Sequence, residues 1–288
     1  MSRPPLGIIG GSGFYSLPGF EATDRLDVDT PFGKPSSPLV RGELGGRPVV
    51  FLARHGRGHL FSPSTLPFRA NIFALKLLGV ERILAVSACG SLREDIHPCH
   101  LVAPDQLWDL TRRRISTFFD ASVVAHISFA DPFCLALADQ IETAAKDLSI
   151  PLHRGGAYVC IEGPQLSTRA ESRVYRSMGM SVIGMTAAQE AKLAREAEMC
   201  FGLVAAVTDY DVWHEGEEVT VERVVENMGK NRLSLERLLA RLIETVPDAS
   251  PCECRNALAG AIISDTSAAN PRDLEALAPL LQRYIHGR

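Results

Sequence analysis

The sequence predicts an α/β fold, a single domain with a central mixed, largely parallel sheet flanked by helices. Three observations predict it. Short runs of strand length are apolar at nearly every position, as in strands buried on both faces. Stretches with helical apolar spacing alternate with them. Several strands run directly into glycines, hydroxyls or charged residues, and ligands of open α/β sheets bind beyond the carboxyl ends of strands.

The elements follow in order. A strand at 6–9 runs into Gly10-Gly11-Ser12-Gly13. Strands at 39–41 and 49–53 flank Gly45-Gly46, a hairpin signal. A basic loop, Arg54 to His59, comes next, and a helix over 68–78 stops at Gly79. The strand at 82–86 leads into a loop of small residues, Ser87-Ala88-Cys89-Gly90-Ser91. A strand at 101–107 and a helix at 132–148 are followed by strand 158–162 and helix 169–178. Strand 181–185, helix 188–198 and the apolar strand 201–207 come next, the last ending in Thr208-Asp209-Tyr210-Asp211. A long helix at 219–246 and a final helix at 272–285 complete the chain. Residues 1–250 form the main body and 251–288 a C-terminal helical extension, with a joint near Pro251.

Composition narrows the function classes. The chain has 288 residues, 46% hydrophobic and 22% charged, ordinary for a globular protein. A net charge of −4 and a pI of about 6.1 give no support for nucleic acid or an anionic membrane as partner. No apolar run reaches the ~20 residues that span a bilayer. The N-terminus lacks the features of a signal peptide, so a cytoplasmic setting is expected. Seven cysteines in so long a chain do not suggest a disulfide framework. Cys89, Cys134, Cys160 and Cys200 lie in apolar surroundings and read as buried thiols. Cys252 and Cys254 form a C-x-C pair, either a local disulfide or two surface thiols, and a reducing compartment favours the thiols.

The strand ends carry the chemistry. Glycines with Ser12 let a backbone approach an anion, although a plain tight turn reads the same way. The loop lacks the third glycine of a dinucleotide fingerprint and the lysine of a P-loop, so a nicotinamide oxidoreductase is not favoured. Arg54 and His55 offer a planar fork and a ring N–H to an oxyanion. His59 lies four residues beyond His55, but no Glu stands between them and two glycines do, so no metal is expected. Ser87 and Ala88 suit an anion too, whereas Cys89 has no His/Asn arrangement to activate it. Asp209 and Asp211 can read a ring offering hydrogen-bond donors or hand it a proton; the bland alternative is that they cap the next helix. Together these groups suggest attack by phosphate on a glycosidic carbon, with a base leaving.

At this point the sequence resembles the trimeric purine nucleoside phosphorylase superfamily, and within it the 5′-methylthioadenosine phosphorylases. The stretches GIIGGSGFY at 7–15, DTPFGKPS at 29–36, ARHGRGH at 53–59, ACGSLRE at 88–94, IEGPQ at 161–165, TRAES at 168–172, GMTA at 184–187 and TDYD at 208–211 carry the resemblance, which covers roughly 6–246. It implies a nucleoside phosphorylase-like fold and phosphorolysis of methylthioadenosine to adenine and 5-methylthioribose 1-phosphate. The alternative it leaves is a broader phosphorylase acting on adenosine or methylthioinosine.

The resemblance also implies roles. Ser12, Arg54, His55, Ser87, Ala88 and Thr186 would bind phosphate. Met185 would lie under the ribose, with Tyr210, Leu166 and Ser167 beside ribose and purine. Asp209 and Asp211 would be catalytic at the purine. His126 would enter the neighbouring subunit's 5′ pocket, and Val221 would shape it. Inorganic phosphate is then a co-substrate, no further cofactor is needed, and the assembly would be a homotrimer or a hexamer. Two positions depart from the family: Leu166 where an aromatic often lies beneath the purine, and Gln189 where proline is usual. Two carboxyls together suit a 6-aminopurine, which presents donors, whereas a 6-oxopurine would suit Asn. A sensor that binds nucleoside without turnover is the competing class, disfavoured by the full set of acid and phosphate residues.

Overall fold

The computed structural model describes residues 3–11, 14, 17–215, 219–248 and 252–285. Ser12, singled out for phosphate, lies outside the described residues. The strands are β1 (Leu6–Gly10), β2 (Glu21–Leu26), β3 (Leu39–Leu44), β4 (Arg47–Ala53), β5 (Arg82–Ser91), β6 (Leu101–Ala103), β7 (Gln106–Asp109), β8 (Leu152–Arg154), β9 (Ala157–Cys160), β10 (Met180–Gly184) and β11 (Cys200–Asp209). The helices are α1 (Phe68–Leu77), α2 (Leu135–Asp147), α3 (Arg169–Ser177), α4 (Ala187–Glu196), α5 (Val221–Thr245), α6 (Pro271–Ala276) and α7 (Ala278–Leu281).

One mixed sheet runs in the order β2-β3-β4-β1-β5-β10-β9-β7, and β11 also pairs with β5 and carries β6 and β8. The central pairings β4-β1-β5-β11 are parallel, while β10 meets the far end of β5 antiparallel. Alternate residues of the central strands feed opposite faces. Ile83, Ala85, Leu203 and Ala205 join one apolar cluster with Ile72 and Phe73 of α1 and Ala191 of α4. Leu84, Val86, Val204 and Ala206 join the other with Ile141 of α2 and Leu235 and Leu239 of α5. Burial on both faces is why these strands read as unbroken apolar runs. The expected α/β architecture is therefore present.

Several boundaries differ from expectation. Ser87 to Ser91 is not a loop: β5 continues through it, because Ser87 to Cys89 keep pairing with β11 and Gly90 and Ser91 pair with β10. The stretch at 101–107 divides into β6 and β7, which pair with different neighbours. The edge strand β2 gave no signal because its residues are polar and almost all exposed. Pro279 interrupts the final helix, which becomes α6 and α7. Residues Leu258, Leu277, Leu280 and Leu281 of the C-terminal segment pack into the first apolar cluster. Cys252 and Cys254 are free, as read, but Cys254 is buried in the second cluster rather than at the surface. Among the described residues no helix is long and apolar enough to cross a membrane.

Candidate active site

A cavity of about 380 Å³ opens where β5, β10 and β11 meet, within the usual range for a small-molecule site. Its wall includes Arg54, His55, Ser87, Ala88, Met185 and Thr186 of the expected phosphate and ribose set. The same wall includes Asp209, Asp211, Leu166, Ser167 and Val221. Two expected residues lie elsewhere. Tyr210 turns away from the cavity, stacks on the His214 ring at 4.6 Å and hydrogen-bonds Nδ1 of His97. His126 is exposed, and its backbone N–H donates to the carbonyl of Ala261 in the C-terminal segment.

The acid pair is built by a register shift. β11 pairs regularly with β5 to Val207↔Cys89, then skips a residue so that Asp209 faces Gly90. Such a bulge re-aims the side chain that follows it. Gly90 leaves room for the pair, since a Cβ there would press within 3.0 Å of Oδ1 of Asp209 and 3.3 Å of Cβ of Asp211. Asp211 adopts φ of 51°, where Asp is among the few side chains tolerated. Neither acid caps a long helix, since only a single 3-10 turn, Asp211–Trp213, follows. Two α5 asparagines hold this strand end. The amide nitrogen of Asn227 donates to the carbonyl of Thr208 at 2.7 Å, and that of Asn231 to Val207 at 2.8 Å.

Burial raises the pKa of both acids, and for Asp211 the neighbouring Asp209 charge adds to it. Thr208 lets Asp209 exist in either state. Its hydroxyl lies 2.7 Å from Oδ2 of Asp209 and 3.2 Å from the carbonyl of Cys89. A hydroxyl carries one proton. It donates to Asp209 when the acid is ionised; when the acid is protonated it donates instead to the Cys89 carbonyl and accepts from the acid. The Cys89 thiol is raised well above its ordinary range by burial, which agrees with an inert wall residue.

Arg54 differs from expectation. Its fork is already taken: Nε and Nη2 donate to the two oxygens of Glu190 at 2.5 and 3.0 Å, and Nη1 donates to Val86 at 2.7 Å. Both side chains are buried, so Glu190 balances a cation that solvent cannot. What remains for an anion is the second N–H on each terminal nitrogen. His55 donates through Nδ1 to the carbonyl of Phe61 at 2.9 Å, and its ring stacks on His59 at 4.2 Å. Burial, then the Arg54 charge, lower its pKa to about 4, so the ring is neutral and Nε2 carries a lone pair.

Thr186 stands at the N-cap of α4 but makes no capping bond with its side chain. Its Oγ1 is buried and has no partner among the described residues; the same holds for Oγ of Ser167 and Oδ2 of Asp211. Buried polar groups are nearly always paired. Three orphans in the wall of one cavity mark the atoms a ligand would satisfy.

Sequence reasoning missed Glu190, Asn227, Asn231, Arg114 and the wall residue Val224. Arg114 sits in a run of three arginines that reads as a charged surface. Its side chain is nevertheless buried: it bonds Glu162 at 3.1 Å, Gln189 Oε1 at 3.0 Å and the carbonyls of Ile161, Glu162 and Met185. It thereby fixes two wall segments against each other. Gln189 has a role in this place too, since its nitrogen donates to Thr111 at 2.8 Å while its oxygen receives Arg114.

A profile of the phosphorylase superfamily matches residues 5–244, and the chain belongs to that family. It is 49% identical over 281 residues to S-methyl-5′-thioadenosine phosphorylase of Koribacter versatilis, covering 97% of this chain and 96% of that one. It superposes with a TM-score of 0.91 and 42% identity on a methylthioadenosine phosphorylase from an antarctic soil metagenomic library, covering 97% and 100%. A variant of adenosine/methylthioadenosine phosphorylase from Schistosoma mansoni, solved with methylthioadenosine, gives a TM-score of 0.84 at 36% identity, covering 90% and 96%.

Proposed function

We propose that this chain catalyses phosphorolysis of 5′-methylthioadenosine, giving adenine and 5-methylthioribose 1-phosphate. The observation that carries the reading is the single cavity in which an anion-suited wall and a buried acid pair meet. Ser87 and Gly90 are three residues apart on β5, about 10 Å, and Asp209 faces Gly90. That span suits a nucleoside with phosphate beneath its sugar.

In the reaction a phosphate oxygen bonds to C1′ while the C1′–N9 bond breaks and its electron pair moves onto the purine. Asp209 gives its proton to N7, which makes the base a better leaving group. Asp211, with a free acceptor at Oδ2, takes a hydrogen bond from the 6-amino group. Thr186, Ser87 and the remaining N–H groups of Arg54 position phosphate at the N-terminus of α4. Neutral His55 accepts from a protonated phosphate oxygen through Nε2. Met185 lies at the sugar, and Ser167 offers its unpaired hydroxyl to the nucleoside. Phosphate is the only co-substrate, and no metal takes part at this site.

The 5′ end is apolar: Val221 and Val224 contribute to the wall. This favours a methylthio group over a 5′-hydroxyl, a discrimination worth only ~1–3 kcal/mol; adenosine is therefore a secondary substrate. Val221 and Val225 are also solvent-exposed in the isolated chain. With His126 exposed and outside this chain's own cavity, they support a homotrimer in which a neighbour completes the 5′ pocket. The reading includes a cytoplasmic setting, which the composition favours.

The test is product analysis with methylthioadenosine in the presence and absence of phosphate. Adenine and a 1-phosphorylated thiosugar should form together and only with phosphate. Tight binding with no adenine release would support the sensor reading instead.

A further inference from the structure

Four cysteines that are scattered in sequence converge at the end of β11 remote from the active site. Their sulfurs, from Cys134, Cys200, Cys252 and Cys254, all lie within 4.8 Å of one another. Sγ of Cys200 and Sγ of Cys252 are 3.3 Å apart. Three of the four residues are buried and Cys252 is partly so. A tetrahedral zinc–thiolate centre, with Zn–S near 2.3 Å, holds its sulfurs about 3.8 Å apart. The cluster therefore needs only small side-chain adjustments to close around a metal. No expectation from the sequence foresaw this, because the C-x-C pair is the only local signal and its partners lie about 50 and 120 residues away in the chain.

We propose that these four thiols form a structural site for one zinc ion. Four soft sulfur donors in a tetrahedral arrangement select Zn²⁺ over hard cations. Binding releases the thiol protons and leaves a centre of charge −2, so the surroundings must supply positive potential. Two features do. Cys134 is the N-cap of the 13-residue helix α2, whose first turn contains no acidic residue, so the positive end of the helix meets the cluster. Arg82 is the β-ladder partner of Cys200, on the same face of the sheet. It is buried, and its Nη2 has no hydrogen-bond partner among the described residues.

The site would act through the fold rather than through the chemistry. Cys200 begins β11 and Asp209 ends it, about 30 Å along the strand. The metal would tie the C-terminal segment to α2 and β11. That segment in turn holds the stretch around His126: the backbone N–H of His126 donates to the carbonyl of Ala261, and that of Ile263 to the carbonyl of Val124. A cross-link between such distant segments gains from loop closure as a disulfide does.

The full chain, purified under reducing conditions, should contain about one zinc per chain by elemental analysis, or take up one on addition of zinc chloride. Cobalt(II) should replace it with thiolate charge-transfer absorption and the visible bands of a tetrahedral ion. Stripping the metal should lower the thermal midpoint by more than about 5 °C, and zinc should restore it. Cys254→Ser should weaken zinc binding at least tenfold while leaving methylthioadenosine turnover at moderate temperature unchanged. Background metal in the reduced chain after zinc addition would overturn the proposal. So would a peptide map showing the four cysteines as disulfides in protein taken from a reducing cytoplasm. The cobalt spectrum is read on the unaltered chain, so it decides even if the variant fails to fold.

Discussion

The backbone N–H of Asp211 donates to Oδ1 of Asp209 at 2.8 Å, two residues away across a left-handed turn. The bond orients the first carboxyl, while Oδ2 of Asp211 makes no hydrogen bond of normal geometry among the described residues and has only the Ser172 hydroxyl nearby. One acid is thus held in place and the other is left open for a ligand, although both are aspartates in nearly the same burial. The proton-donor and acceptor roles proposed for them follow from that difference.

Thr186→Val should raise KM for phosphate at least tenfold and leave the thermal midpoint unchanged or higher. The hydroxyl has no protein partner, so removing it costs the free protein no hydrogen bond. Steady-state kinetics against phosphate, beside a thermal melt, checks both halves. A lower midpoint with unaltered KM would mean the hydroxyl serves the fold.

His55 should titrate with a midpoint near 4, well under an ordinary histidine, because burial and then Arg54 disfavour its charged form. The neutral folded form is preferred, so this ring contributes stability that falls as pH drops from about 6.5 toward 4. An NMR titration of the ring measures it directly. A midpoint near 6.5 would contradict the burial argument.

Glu196 should make the fold pH-dependent in the opposite sense. Burial raises its pKa to about 7, against the donors Thr117 and Phe118. The folded state then binds a proton that the unfolded state has lost between about pH 4.5 and 7. Stability should fall as pH rises through that window and level off above it. Glu196→Gln should flatten this component in thermal melts from pH 5 to 8.5, since an amide there does not titrate.

Leu166→Phe should lower KM for the nucleoside by about three- to tenfold, the scale of one aromatic stacking contact. Leu166 lies in the cavity wall and half exposed, so a larger ring has room to cover the purine. Unchanged KM would place the purine elsewhere in the cavity.

Much of this site was legible because the chemistry-bearing residues follow apolar strands. Arg54 and His55 after β4, Thr186 after β10 and Asp209 at the end of β11 were placed from that pattern alone or from the resemblance it supported. What was not legible depends on contacts between distant segments. Glu190 has no local mark that separates it from any acid on an amphipathic helix, yet it occupies the fork of Arg54. Ser87 was expected in a loop because small polar residues read as a turn, whereas pairing with β11 extends the strand through it. The cysteine cluster needed three dimensions, since only two of its four members are neighbours in the chain.

The most direct test is phosphate-dependent adenine release from methylthioadenosine by the unaltered chain and by Asp209→Asn, measured side by side. The account predicts rapid release by the first and a kcat at least about a hundredfold lower in the second, the usual loss when a general acid is removed. Release by Asp209→Asn within about tenfold of the unaltered chain, a difference of only ~1.4 kcal/mol, would contradict the proton-donor role on which the account rests.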